Sequence, residues 1–308
     1  MAAKAIEVET PQGPARVSSP DKVLFPRDGI TKLDLVNYYL AVAPTLLPQI
    51  KGRPLTMRPF PDGIDREAYY RRNKPPGSPE WLRSYTYKPN SKPGATTSSP
   101  IVDDEAGLVW LANFNTIEVH PWTCRVDKIE QPDVLVFDLD EAEEGSFDDV
   151  RQAALLVREE LTVLGIEGCA KTSGGGGMHV FVGIERRYGF DEIKRWMQDF
   201  CAGLVEKRRD LVTTEYTIAD RGGRVLLDWA QNSFGKSTVA PYSVRPRDGA
   251  PVSTPLTWDE VEAGGFAPRD FHLGNTAERV KRVGDLFAPL LSRRHRLPAL
   301  EHRQTPPP

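Results

Sequence analysis

Residues 134–145 read VLVFDLDEAEEG. Four apolar residues lead to Asp138, and Leu139 separates it from Asp140. A short β-branched and aromatic run of this kind predicts a strand. In a strand, residues i and i+2 share a face. Asp138 and Asp140 therefore project together with Val136, while Leu135, Phe137 and Leu139 fill the opposite, buried side. Two carboxylates that close repel unless a proton or a cation sits between them. The stretch thus predicts a metal site at the end of a buried strand.

Two later segments carry matching chemistry. Residues 171–182, KTSGGGGMHVFV, place a polar turn and four glycines before His179, which enters a strand. Residues 226–247, LLDWAQNSFGKSTVAPYSVRPR, interrupt an apolar strand with Asp228 and follow it with Gln231, Lys236 and Arg245. A buried carboxylate without a partner is costly, so Asp228 asks for the same cation as the Asp138/Asp140 pair. Two aspartates on one strand and a third on another can hold two divalent ions about 3.5–4 Å apart, the arrangement of in-line phosphoryl displacement. Oxygen ligands suit Mg²⁺ and Mn²⁺. A glycine-rich turn offers backbone N–H groups to phosphates, Lys236 and Arg245 offer charge to a triphosphate, and His179 offers a hydrogen bond to a phosphate oxygen. The combination points to metal-dependent chemistry on a nucleotide.

Two other families fit less well. Haloacid dehalogenase-type phosphatases also place DxD after an apolar strand, but there the pattern continues Gly-Thr. Here it continues Glu141-Ala142, and GDLFAPL at 284–290 lacks the second Asp of their downstream acidic motif. In polymerase-β-like nucleotidyltransferases the Gly-Ser loop precedes the DxD, whereas Ser173 and its glycines follow it.

The chain has 308 residues, of which 39% are hydrophobic and 27% charged, enough for a substantial core in one domain of two intimate lobes. No apolar run approaches the roughly 20 residues that span a bilayer, so no membrane partner is expected. The N-terminus lacks a hydrophobic signal segment. Cys124, Cys169 and Cys201 have no CxxC spacing and read as buried small hydrophobes of a cytoplasmic, reducing compartment. Net charge is −3 but unevenly spread. Residues 1–100 hold 15 Lys and Arg against 9 Asp and Glu, whereas residues 101–170 hold 4 against 17. An acidic middle that can hold cations thus follows a basic flank that can hold an anion such as a nucleic-acid backbone.

Local signals predict a helix over 31–47 opened by Thr31 and Asp34 and ended or bent by Pro44. They also predict long loops over 73–100, mixed helix and strand over 107–120, and a helix from Ser146 through Leu164 stopped by Gly165. A strand over 178–184, a helix over 190–208, a strand over 224–230, a short helix capped by Thr257 and Glu260, and a last helix over 276–291 follow. The tail 303–308 is expected to be disordered. Helices and strands mix without regular βαβ alternation, which makes the fold class α+β.

The order FDLD, TSGGGGMHV, LLDWAQNSFGKSTVAPYSVR resembles the polymerase domain of bacterial ligase D, a primase-polymerase of the archaeo-eukaryotic primase superfamily. The likeness extends to SSPDKVLFPRDGITKLDLVNYY (18–39), GRPLTMRPFPDGID (52–65) and NTIEVHPW (115–122). It implies a primase-polymerase core of mixed β-sheets flanked by helices over 1–302. A basic DNA-binding part would lie at about 1–120 and a catalytic part at about 121–302. Asp138, Asp140 and Asp228 would be the catalytic, metal-binding carboxylates, served by two Mn²⁺ or Mg²⁺ ions. His120, Ser173, His179, Gln231, Lys236 and Arg245 would hold the incoming NTP or dNTP. Lys22 and Lys32 would grip a downstream DNA 5′-phosphate, and Tyr69 and Tyr70 would stack on the template, unless they pack in the core.

The implied activity is template-directed extension of a 3′-OH on gapped or broken DNA, in end joining or gap filling, with ribonucleotide preference. The implied partners are a DNA ligase and an end-binding protein, with the chain at the nucleoid when bound to DNA. A noncatalytic DNA-end-binding module that recruits a ligase is the alternative. Two departures stand out. The family carries a lysine in the turn where this sequence has Gly176, which predicts weaker nucleotide binding unless Lys171 or Lys236 compensates. No Lys-x-Asp-Gly ligase motif is present, so a stand-alone relative or an excised domain is expected.

Overall fold

Strand β9 (Val134–Asp140) lies inside a six-stranded sheet, and the chain is arranged around it. The computed structural model describes residues 5–89 and 94–300. The tail expected at 303–308 falls outside them.

The elements preceding β9 are β1 (Ala5–Thr10), β2 (Gly13–Ser18), β3 (Val23–Phe25), β4 (Ile30–Thr31), α1 (Lys32–Ile50), β5 (Leu55–Pro59), β6 (Ser84–Tyr87), β7 (Thr97–Pro100), α2 (Glu105–Asn113) and β8 (Thr116–Pro121). Those following it are α3 (Phe147–Val163), β10 (Cys169–Thr172), β11 (Met178–Gly183), α4 (Phe190–Lys207), β12 (Val212–Thr213), α5 (Ile218–Arg221), β13 (Val225–Asp228), β14 (Pro255–Leu256), α6 (Trp258–Ala263), α7 (Leu273–Val283) and α8 (Ala288–Ser292).

The sheet order is β12-β13-β9-β11-β10-β14. Only β12 and β13 run parallel; the other pairs are antiparallel. This mixed sheet, with α3 and α4 on one face and α8 on the other, is the expected α+β class. The period-2 alternation of β9 separates its two faces. Leu135, Phe137 and Leu139 enter a core shared with α3 and α4, where Val150, Val157, Met197 and Phe200 meet them. Each such fully buried side chain contributes about 1.5–3 kcal/mol. On the other face, Val134 and Val136 are covered by Phe181, Phe287 and Leu290. Beyond Val136 that face opens, and Asp138 and Asp140 emerge there.

A second core gathers α1, α2, β5 and β8. Residues 240–252 return from the six-stranded sheet to join it, so one chain segment belongs to both halves.

Helix starts follow the sequence closely. Thr31 with Asp34, Ser146 with Asp149 and Thr257 with Glu260 all form reciprocal capping boxes. Helix ends follow it less well. α1 runs through Pro44 and Pro48 to Ile50. Each proline removes one backbone donor, but Leu46, Leu47 and Ile50 are buried, and Thr45 Oγ1 donates to the Val42 carbonyl at 2.9 Å, so tertiary contact outweighs the lost bonds. The last helix is instead two, α7 and α8, broken at Gly284 with φ +76°. The strand expected over 224–230 ends at Asp228, and Trp229–Asn232 turn into a 3₁₀ segment. The loops expected over 73–100 contain the β6–β7 hairpin, pairing Ser84 with Pro100 and Tyr87 with Thr97.

β9 is anchored at its start. Asp133, 1% exposed, contacts Arg53 at 2.6 Å, Arg125 at 3.1 Å and Arg294 at 3.6 Å. Burial alone would raise its pKa, but the charge and hydrogen bond of Arg53, then Arg125 and Arg294, overcome this and hold it at about 2. The folded value lies below the unfolded one, so the contribution is complete above the unfolded pKa and is lost as pH falls toward the folded one. Urea unfolding at several pH values is expected to show the stability gap between wild type and Asp133→Asn shrinking by about 2 kcal/mol between about pH 5 and pH 2. A gap that does not change with pH would contradict the anchoring role.

Candidate active site

Cross-strand register assembles the site. β9 and β13 pair with Asp138 opposite Asp228. β11 sets His179 opposite Asp138 on the other side, and β10 sets Lys171 opposite His179. Residues directly opposite on adjacent strands share a face. Asp228, Asp138, His179 and Lys171 therefore form one row across four strands, with Asp140 two residues along β9.

Oxygens of Asp138, Asp140 and Asp228 lie within 4.8 Å of one another. Burial first, then the Asp228 charge, raises Asp138 well above the usual carboxylate range. Burial first, then Asp138 and Asp228, does the same to Asp140. A hard divalent cation relieves this repulsion, and an all-oxygen donor set fits one. Asp228 is fixed by three donors: Tyr216 Oη at 2.8 Å, the Ala230 N–H at 3.0 Å and Gln231 Nε2 at 2.8 Å. Gln231 thus bonds an aspartate of the cluster directly.

His179 Nε2 lies 2.9 Å from Asp138 Oδ1, and its Nδ1 lies 2.8 Å from Lys171 Nζ. Lys171 is fully buried and also donates to Ser253 Oγ at 2.5 Å. It stands behind His179 and does not line the cleft, so the compensation for Gly176 offered by Lys171 is not available; Lys236 does line it. Burial, then the Lys171 charge, depresses the His179 pKa well below its ordinary value.

The glycine turn folds over the end of β9. Ser173 Oγ accepts the N–H groups of Gly175 and Gly177, both at 3.1 Å. Those two donors are spent within the turn, contrary to their expected use toward phosphates, while the Ser173 hydroxyl proton is left to donate. A Cβ on Gly177 would lie 2.5 Å from the Leu139 carbonyl oxygen, so only glycine permits this close approach.

A cleft of about 690 Å³ opens over Asp138, Asp140 and His179. It brings together Asp138, Asp140, Ser173, His179, Gln231, Lys236, Arg245, His120 and Tyr70. His120 reaches it from β8, where burial lowers its pKa. Tyr69 and Tyr70 are 50% and 58% exposed, which removes the core-packing alternative. Tyr70 stands edge-on to His120, with ring centroids 5.6 Å apart.

Lys22 and Lys32 lie apart from this cleft. Lys22 borders a second depression with Asp62, Arg66 and Glu67, and its Nζ contacts the Pro61 carbonyl. Lys32 is 3% exposed and donates to the carbonyls of Ser18 at 2.8 Å and Asn113 at 3.0 Å. Burial, then the Lys22 charge, lowers its pKa to about 8.

Sequence reasoning passed over Glu118, Arg58 and Tyr216. Glu118 is fully buried in β8 against Arg58, His120 and Arg245. An acid two residues before His120 in an apolar strand was its only signal.

The family model "LigD, primase-polymerase domain" matches residues 31–287. The chain belongs to this family. Members of it are DNA-directed nucleotidyltransferases. The chain is 35% identical over 279 residues to "Multifunctional non-homologous end joining protein LigD" of Mycolicibacterium smegmatis, covering 89% of this chain and 36% of that protein. To the protein of the same name from Pseudomonas aeruginosa it is 32% identical over 295 residues, covering 94% and 34%. The chain therefore spans about a third of the length of these relatives. Among solved structures, "Polymerase Domain from Mycobacterium tuberculosis Ligase D in complex with DNA" superposes with a TM-score of 0.85 at 31% identity, covering 91% of this chain and 98% of that one. No helix among the described residues is long and apolar enough to cross a membrane.

Where the LigD primase-polymerase pattern has its turn lysine, a Cβ on Gly176 would overlap the Glu141 carboxylate. That carboxylate ends a flexible side chain and can swing aside. Gly176→Lys is expected to lower the nucleotide KM by roughly 10-fold, the worth of one charge-assisted contact. Steady-state extension kinetics at varied nucleotide concentration measure it, and an unchanged KM would contradict the expectation.

Proposed function

We propose that this chain is a template-directed DNA repair primase-polymerase that extends a 3′-OH at gaps or double-strand breaks. The observation that carries this reading is the cluster of Asp138, Asp140 and Asp228, whose first two members line a cleft together with Lys236 and Arg245. The three aspartates would hold two Mn²⁺ or Mg²⁺ ions, which supply Lewis-acid stabilisation of the attacking and leaving oxygens. The chain's own residues do the rest. Arg245 and Lys236 meet the triphosphate, Ser173 donates its hydroxyl to it, and Gln231 and Tyr216 keep Asp228 in place. His179 braces Asp138 and His120 borders the nucleotide.

On the DNA side, exposed Tyr69 and Tyr70 would stack on the template, and Lys22 with Lys32 would take the downstream 5′-phosphate. Lys32 has two of its three ammonium hydrogens engaged by carbonyls, which leaves one for that phosphate. The proposal includes ribonucleotide preference, service in end joining beside a DNA ligase and an end-binding protein, and a cytoplasmic, nucleoid-associated location. Residues 1–302 would act as a single domain of two intimate lobes.

Primer extension across a short gap tests this. Template-matched addition with Mn²⁺ is expected, improved by a downstream 5′-phosphate and reduced roughly 10³-fold or more by Asp138→Ala. Binding to gapped DNA without any addition by wild type would contradict the polymerase and favour a noncatalytic end-binding module.

A further inference from the structure

Glu118 lies beneath the cleft without reaching it. Its side chain is 0% exposed and sits on β8 opposite Arg58 of β5. Oε1 is 2.7 Å from Arg245 Nε, and Oε2 is 3.2 Å from Arg58 Nη1 and 3.4 Å from His120 Nε2. The contact with Arg245 is an ion pair whose angle falls short of a hydrogen bond. Burial would raise the Glu118 pKa, but the neighbouring His120 ring and the charges of Arg245 and Arg58 prevail and hold it at about 2. The carboxylate is therefore ionised at any working pH.

Arg245 is pinned at a second point, where Nη1 donates to the Ser173 carbonyl at 3.2 Å. A guanidinium carries five N–H donors in a rigid fork. Nε sits against Glu118 and Nη1 on Ser173, and the side chain so held lines the cleft. A fork ordered in advance loses less conformational freedom when an anion arrives. The backbone supports the same aim, since Tyr242 holds φ +66° at the turn before Arg245 while its carbonyl accepts the Tyr38 hydroxyl at 2.8 Å.

We infer that Glu118 is a positioning residue that holds the Arg245 guanidinium toward the phosphates of the incoming nucleotide. This rests on the proposed reading of Arg245 as a nucleotide ligand. Two effects of Glu118→Gln have opposite signs, which makes the substitution decisive. Removing a negative charge near an anion site strengthens anion binding by Coulomb's law. Releasing Arg245 from its anchor weakens it.

The experiment uses the full chain with Mn²⁺ and a non-hydrolysable nucleoside triphosphate. Equilibrium binding and single-nucleotide extension are measured for wild type, E118Q, R245Q and the double variant. E118Q is expected to raise both Kd and KM by roughly 10-fold, with kcat changed by less than about threefold. In the R245Q background the same change is expected to add less than about twofold, because the two residues act as one unit. A defect in folding alone would not give that non-additivity. Binding by E118Q as tight as wild type or tighter overturns the inference, as does an equal loss in the R245Q background. Should E118Q fail to fold, E118Q/R58Q removes one anion and one cation together, and the same expectations apply to it. Wild type that binds no nucleotide overturns the polymerase reading itself, and the positioning role with it.

Discussion

Repulsion among Asp138, Asp140 and Asp228 has to be contained by the strands that carry them. Three carboxylates whose oxygens lie within 4.8 Å of one another oppose the folded state. They stay together because cross-strand register leaves them no choice: moving β9 by one residue against its neighbours would turn Leu135, Phe137 and Leu139 out of their core. The hydrophobic face of the strand thus holds in place a polar face that would otherwise fly apart. The residual cost is the reason such a cluster takes cations.

Charge around the cluster is layered. Asp138 has His179 beside it and Lys171 behind that, so the row runs from carboxylate to imidazole to lysine nitrogen. Arg245 lines the cleft, balanced by the buried Glu118. The family relation to LigD primase-polymerases gives this arrangement its chemical context. Within that context Gly176 is the local departure, with the acidic side chain of Glu141 across from it.

Much of the half built on the six-stranded sheet was legible because its signals are local. Alternation in β9, the capping boxes at Thr31, Ser146 and Thr257, and Asp228 ending an apolar strand each depend on neighbours within a few residues. What escaped depends on distant partners. α1 continues through two prolines because its apolar face is buried, which no local rule reports. The β6–β7 hairpin lies in a Pro- and Ser-rich stretch and is docked partly by the contacts of Tyr85 and Tyr87 with Trp122. Glu118 meets Arg58 and Arg245 across 60 residues in one direction and well over a hundred in the other, so its role emerges only on folding. The fates of the turn N–H groups and of Lys171 were misjudged for a related reason: sequence shows which donors exist, and only the fold shows which are already spent.

The most direct test of the central claim is anomalous diffraction from crystals grown with Mn²⁺ and a non-hydrolysable nucleoside triphosphate. Two manganese peaks about 3.5–4 Å apart, ligated by Asp138, Asp140 and Asp228, are predicted. A nucleotide seated in the cleft with no manganese among the three aspartates would contradict it.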